Sequence, residues 1–256
     1  MKQLEINLIS TIKDREQHFV KTFPLMVTQY GTPYNIVLVN FHSNDNFEET
    51  LKKEAEFRKD TFSPYLKSIK HVKLLEDLKF NVRKARNLGA SFCRGKESIL
   101  CFSDIDVFLG MAYINYWSSK VKEGISFVTT RVPDCHAADP RRIRPEINYG
   151  NFLVHSNDFF SINGFNENKN YCGGEDDGVF HRLKLLGLRE LNPHDGIEAQ
   201  QYSIIHGNDL RVQERANPDE EFKEIFNISK HYVDNSNFLA KSYTEKIAKE
   251  EIIYAA

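Results

Sequence analysis

The segment Ser98-Ile99-Leu100-Cys101-Phe102 carries no charge and no polar alternation, and Ser103-Asp104-Ile105-Asp106 follows it at once. A run that short and that uniformly apolar suits a parallel strand covered on both faces. Tyr34-Asn35-Ile36-Val37-Leu38-Val39 has the same character, and residues 4–9 read as a first strand. Helices are predicted over 14–30, with Ser10 or Thr11 as a cap, over 46–59 and over 80–93. Short strands are predicted at 69–74, 125–128 and 151–155, and further helices at 108–121 and 174–186. Strands alternating with helices at this spacing predict an α/β fold: a mostly parallel central sheet, right-handed crossovers, helices on its faces. In open sheets of this kind ligands bind beyond the carboxyl ends of the strands, where Asp104 and Asp106 fall.

Several classes are excluded or disfavoured. A formal net charge of -2 over 256 residues gives no broad nucleic-acid footprint. No apolar run approaches the roughly 18 residues of a membrane span, and the first residues lack a signal-peptide pattern. The default expectation is a cytoplasmic protein without a transmembrane segment, which leaves peripheral membrane contact open. The four cysteines (Cys93, Cys101, Cys135, Cys172) show no CxxC spacing, so no zinc knuckle or redox motif is expected. Cys93 and Cys101 read as core thiols.

The chemistry lies in two acidic clusters and a histidine. In extended backbone Asp104 and Asp106 face the same way, and like charges this close need a cation between them. A divalent ion holding a diphosphate meets that need, since Mg²⁺ and Mn²⁺ prefer oxygen ligands. A DxD standing alone serves as readily in a turn or helix cap. Gly173-Gly174 precedes Glu175-Asp176-Asp177 at a predicted helix start, where acids also stabilise the helix dipole. Helical spacing aligns Asp177 with His181 and Lys184, a solvated stripe, and Asp176 with Phe180 and Leu183, an apolar one. Asp176 is therefore the inward carboxylate and the candidate general base, and Glu175 also turns inward.

His206 closes an apolar stretch beside Gly207, and is either a structural histidine or a Mn²⁺ ligand. Arg86-Asn87 either reach a nucleotide or decorate a helix surface. The periodicity disappears from 131 to 145, where Arg131, Arg141, Arg142 and Arg144 mark a long loop. The last fifty residues look helical and charged.

Taken in order, Ile99–Asp106, then Gly150-Asn151-Phe152-Leu153-Val154, Asn163-Gly164-Phe165-Asn166-Glu167 and Gly173–Asp177 resemble GT-A glycosyltransferases. The resemblance is to family 2-like enzymes with a galactosyltransferase-type C-terminal segment, as in β-1,4-galactosyltransferases and chondroitin-polymerase-like bacterial enzymes. It covers about residues 4 to 210. It implies a Rossmann-like GT-A domain over 1–210, with a nucleotide half (1–107) and an acceptor half (108–210), and a C-terminal helical extension over 211–256. It implies transfer of a hexosyl or N-acetylhexosaminyl group from a UDP-sugar to a glycan or glycoconjugate, with Mn²⁺ (or Mg²⁺) as cofactor. By the same resemblance Thr11 and Arg15 lie near the uracil, Asn40 and Asp45 at the end of the next strand, and Arg86 and Asn87 against the nucleoside. Asp104 approaches the ribose or metal, Asp106 and His206 ligate Mn²⁺, Gly174 and Glu175 meet the donor sugar, and Asp176 is the base of an inverting displacement. The rivals are a metal-dependent sugar nucleotidyltransferase, which would show a glycine-rich loop where Ser10–Asp14 has none, and a non-catalytic sugar-nucleotide-binding module.

Overall fold

The computed structural model describes residues 4–75, 80–133, 147–168, 175–191, 201–203 and 248–256. Its centre is an eight-stranded sheet in the order β10-β3-β2-β1-β4-β7-β6-β8. The strands are β1 (Glu5–Ile12), β2 (Tyr34–Asn40), β3 (Leu66–Leu74), β4 (Ser98–Phe102), β6 (Ser126–Pro133), β7 (Ile147–His155), β8 (Arg189–Leu191) and β10 (Ala248–Ala255). A separate two-stranded ladder joins β5 (Val107–Leu109) to β9 (Gln201–Ser203). β1 runs parallel to β2 on one side and to β4 on the other, and β2 parallel to β3. The far side is mixed, because β7 is antiparallel to both β4 and β6. Chain order reverses between β1 and β4, which opens a crevice beyond Ile12 and Phe102.

The charge-free runs are strands for the expected reason. All seven residues of β2 and all five of β4 are buried. Each sheet face needs a cover. Helices α1 (Glu16–Met26), α2 (Phe47–Arg58) and α4 (Tyr113–Ser118) enclose Leu8, Phe23, Ile36, Phe47 and Trp117 on one side. Helices α3 (Val82–Ser91), α5 (Ser156–Ser161) and α6 (Glu175–Leu185) enclose Ile9, Phe102, Phe152, Phe159 and Phe180 on the other. Gly89 lets α3 come down onto the sheet, since a Cβ there would stand 2.5 Å from the Ile9 Cγ2 and 3.0 Å from the Val39 Cγ2. Cys93 and Cys101 are buried free thiols, as expected of core residues.

The structure corrects the sequence reading in five places. Ser10 and Thr11 do not cap α1; both belong to β1, and α1 starts at Glu16. The cap comes from outside the helix, because the Glu16 amide donates to Asp45 Oδ2 at 2.8 Å. The predicted helix over 108–121 is shorter: Val107–Leu109 pair with β9 as strand, and only Tyr113–Ser118 are helical. The long loop begins later, because β6 runs through Pro133; residues 134–146 lie outside the described part. Asp104 and Asp106 are not extended, as set out below. The helical expectation for the C-terminus fails over Ala248–Ala255, which add antiparallel to β3. Its Ala, Lys and Glu content favours helix, but propensity is a weak prior against an open sheet edge. The pairing is reinforced by Lys52–Glu251 at 2.7 Å and Lys70–Glu250 at 3.0 Å. Residues 204–247 lie outside the described part. No helix among the described residues is long and apolar enough to cross a membrane.

Candidate active site

The first acidic pair sits in a turn directly after β4. The Val107 amide donates to the Asp104 carbonyl at 3.2 Å, so the two acids curl around Ile105 rather than alternate along a strand. Every side of this turn is tied down. The Ser103 amide donates to the Ile9 carbonyl at 3.0 Å, and Ser10 Oγ donates to the Ser103 carbonyl at 2.7 Å. Thr22 Oγ1, from α1, donates to the Ile105 carbonyl at 2.8 Å. The Asp104 amide donates to Asn151 Oδ1 at 2.9 Å, and Asn151 Nδ2 in turn donates to Gln201 Oε1 at 2.7 Å. Asp106 is 3% exposed. β1, α1, β7 and β9 thus converge on four residues.

The second acidic cluster opens α6. Phe180 and Leu183 are buried, and Asp176, on their stripe, points inward as its spacing predicts. Asp177 is half-buried rather than solvated; its carboxyl is raised by burial and by the neighbouring Glu175 and Glu190.

Arg86 joins the two clusters. From the middle of α3, Nη2 donates to Asp104 Oδ1 at 2.7 Å and Nη1 to Asp176 Oδ1 at 2.6 Å, with Glu175 Oε1 4.0 Å from Nη1. The guanidinium is 3% exposed and lies over the Phe165 ring at 5.3 Å. Burial alone would push an arginine down; here Asp176, Asp104 and Glu175 hold it above its ordinary value. Among the described residues, three carboxylates thus surround this guanidinium. Asp176 accordingly sits well above the usual carboxylate range, through burial first and then through Glu175 and Asp104, with Arg86 opposing.

Asn87, the next residue, is fully buried and faces the other way. Its Nδ2 donates to the Phe165 carbonyl at 2.9 Å and to Glu167 Oε1 at 2.6 Å, and its Oδ1 accepts from the Phe165 amide at 2.8 Å. It fixes the 165–167 segment. Arg86 likewise binds carboxylates and is buried against them. The remaining donor-side candidates stand at the ends of β1 and β2, where two loops brace each other. Thr11 and Arg15 are half-buried. Asn40 Nδ2 donates to Glu48 Oε1 at 3.2 Å and its Oδ1 accepts from the Ser43 amide at 2.9 Å. The Asn44 amide donates to Asp14 Oδ1 at 2.6 Å. Asp14 and His42 both hold φ at 52°, a backbone region that concentrates at ligand sites. Gly173, Gly174 and His206 lie outside the described residues.

Asn151, Gln201 and Glu167 were missed as individual site residues. The available signal was polarity inside apolar strands and turns, as in Asn151-Phe152-Leu153-Val154. Glu167 carries a testable consequence. Burial, against the Asn87 hydrogen bond and Lys84, raises its carboxyl to about 8. A carboxyl raised on folding stabilises the native state fully below its unfolded value, and that contribution is lost as pH rises through about 8. Glu167→Gln keeps an acceptor for Asn87 and carries no charge to desolvate. Urea melts at pH 5 and pH 8.5 should show it gaining on the parent by roughly 1–3 kcal/mol at the higher pH; parallel losses would mean the carboxyl is not buried against its charge.

Among the described residues no group of three or more His, Cys, Asp or Glu side chains is placed to hold a metal ion. The described donors beside the crevice are carboxylates, the type that Mg²⁺ and Mn²⁺ prefer. Asp104 and Asp106 fit such an ion in chemistry; a third ligand must come from elsewhere.

Known proteins share a segment and the fold of this chain. Residues 134–207 match the family model described as the N-terminal domain of galactosyltransferase. No curated protein matches the chain. Solved structures do. The catalytic domain of Drosophila β1,4-galactosyltransferase 7 with xylobiose is 17% identical, with a TM-score of 0.59 over 91% of this chain and 84% of that one. The mannosyltransferase PcManGT from Pyrobaculum calidifontis, in complex with GDP-Man and Mn²⁺, is 13% identical, with a TM-score of 0.61 over 89% and 69%. TarS 1-349 from S. aureus, in complex with UDP-GlcNAc, is 14% identical, with a TM-score of 0.61 over 86% and 64%. The fold is that of the GT-A glycosyltransferases, with a galactosyltransferase-like segment in its C-terminal half.

Proposed function

We propose that the chain is a metal-dependent, inverting glycosyltransferase that moves a hexosyl or N-acetylhexosaminyl group from a UDP-sugar to a hydroxyl of a glycan acceptor. The observation that carries this reading is the convergence on Arg86 of Asp104, from the turn after β4, and Asp176, from the start of α6. A binding module needs no buried carboxylate at that point; a displacement at a sugar carbon does. Structures of the same fold hold GDP-Man with Mn²⁺, UDP-GlcNAc, or manganese with UDP-Gal and xylobiose.

In this reading Asp176 takes the proton from the acceptor hydroxyl as its oxygen bonds to the anomeric carbon, and the bond from that carbon to UDP breaks on the opposite face. Glu175 would bond the donor sugar and Gly174 is assigned to the same subsite, while Thr11, Arg15 and the braced loops at Asn40 and Asp45 would frame the nucleotide. Asp106, Asp104 and His206 would hold Mn²⁺ or Mg²⁺, which when bound neutralises charge on the diphosphate leaving group.

Calorimetry of UDP and a panel of UDP-sugars, with Mn²⁺ and with EDTA, tests the proposal. UDP should bind with Mn²⁺ and weaken by at least tenfold, about 1.4 kcal/mol, in EDTA. Equal affinity in both would remove the metal, and no affinity for UDP or UDP-sugars would remove the function.

A further inference from the structure

We infer that Arg86 is a positioning residue: its single guanidinium registers Asp176 against the turn that carries Asp104, so that the base and the nucleotide side of the crevice are set at one spacing. This rests on the glycosyltransferase reading above and deepens it. The two acids belong to separate elements 72 residues apart in sequence, and no described strand pairing joins α6 to the turn after β4. The link is the planar fork of Arg86, bonded at 2.6 Å on one arm and 2.7 Å on the other. The arginine is itself held: buried to 3% exposure, over the Phe165 ring, on a helix that Gly89 seats directly against Ile9 and Val39. The adjacent Asn87 ties the same helix to Phe165 and Glu167. α3 therefore works as a fixed post between the donor and acceptor halves. A guanidinium suits the task because its donors are coplanar and fixed in angle; an ammonium is a point charge on a flexible stem and fixes no spacing between its partners.

The test uses Arg86→Met and Arg86→Lys in the full chain, with UDP calorimetry in Mn²⁺, steady-state transfer and thermal unfolding. Arg86→Met should lower turnover roughly 100-fold, the scale of about 1 Å of misplacement, with donor KM and UDP affinity within about threefold of the parent. Arg86→Lys should recover part of the turnover at unchanged KM. Turnover of Arg86→Met close to that of the parent would overturn the inference, as would a raised donor KM at unchanged turnover, which would make Arg86 a donor ligand. Double-mutant cycles on unfolding give a readout independent of activity. Arg86→Met paired with Asp176→Asn, and separately with Asp104→Asn, should each lower the melting temperature by less than the two single losses together. Additive losses in either cycle would overturn the bridge. A parent chain that neither binds UDP nor transfers sugar would overturn the function itself, a result distinct from a working parent whose Arg86→Met variant keeps its turnover.

Discussion

Asp176→Asn should cut turnover about 10²–10⁴-fold, the range set by loss of a general base, while UDP affinity in Mn²⁺ stays within about threefold. The asparagine keeps the shape of the aspartate and an oxygen for Arg86 Nη1, now 2.6 Å away, so the start of α6 has no reason to move. What disappears is the capacity to take a proton. Single-turnover transfer and UDP calorimetry on the same preparation decide the matter. A parallel loss of transfer and UDP binding would assign Asp176 to the scaffold, and unchanged turnover would move the base elsewhere.

Phe102→Ala should cost about 3–5 kcal/mol of stability, as truncation of a buried phenylalanine does. Phe102 is fully buried as the last residue of β4. Its ring stacks on Phe152 at 4.7 Å, tilts against Phe159 at 5.1 Å and meets Phe165 edge-on at 5.4 Å. These rings join β4, β7, α5 and the segment that Asn87 anchors, so none can move into the gap without leaving another partner. Urea unfolding monitored by tryptophan fluorescence gives the loss directly, and an unchanged m-value would show that the unfolded reference has not shifted. A loss under about 1 kcal/mol would mean the cluster collapses around the missing ring.

The legible parts of this fold are those where one local rule decides. A charge-free pentapeptide has few places to go but the middle of a sheet, and β4 matches its expected bounds residue for residue. Asp176 was readable because helical spacing set it on the stripe of Phe180 and Leu183, both buried in the structure. Elsewhere a distant partner decided. Asp45 caps α1 from the loop after β2, which no window around Glu16 contains. Val107–Leu109 are strand because Gln201–Ser203 lie beside them, nearly a hundred residues later. Arg86 and Asn87 are neighbours on one helix, so they diverge by roughly 100° around its axis. Pattern left both between a nucleotide and the helix surface; in the structure one meets the acids and the other Phe165.

The outer edge of the sheet has its own consequence for how the chain comes to be. β3 runs through Leu74, but the strand that covers its free side begins at Ala248. At roughly 5–20 residues per second of synthesis, the nascent sheet holds a row of unanswered amides and carbonyls at β3 for on the order of ten to thirty seconds. Such a row is a template for any extended chain nearby. Lys67, Lys70 and Lys73, at every third position along it, place positive charge there throughout that interval, which repels a second copy of the same edge until β10 arrives.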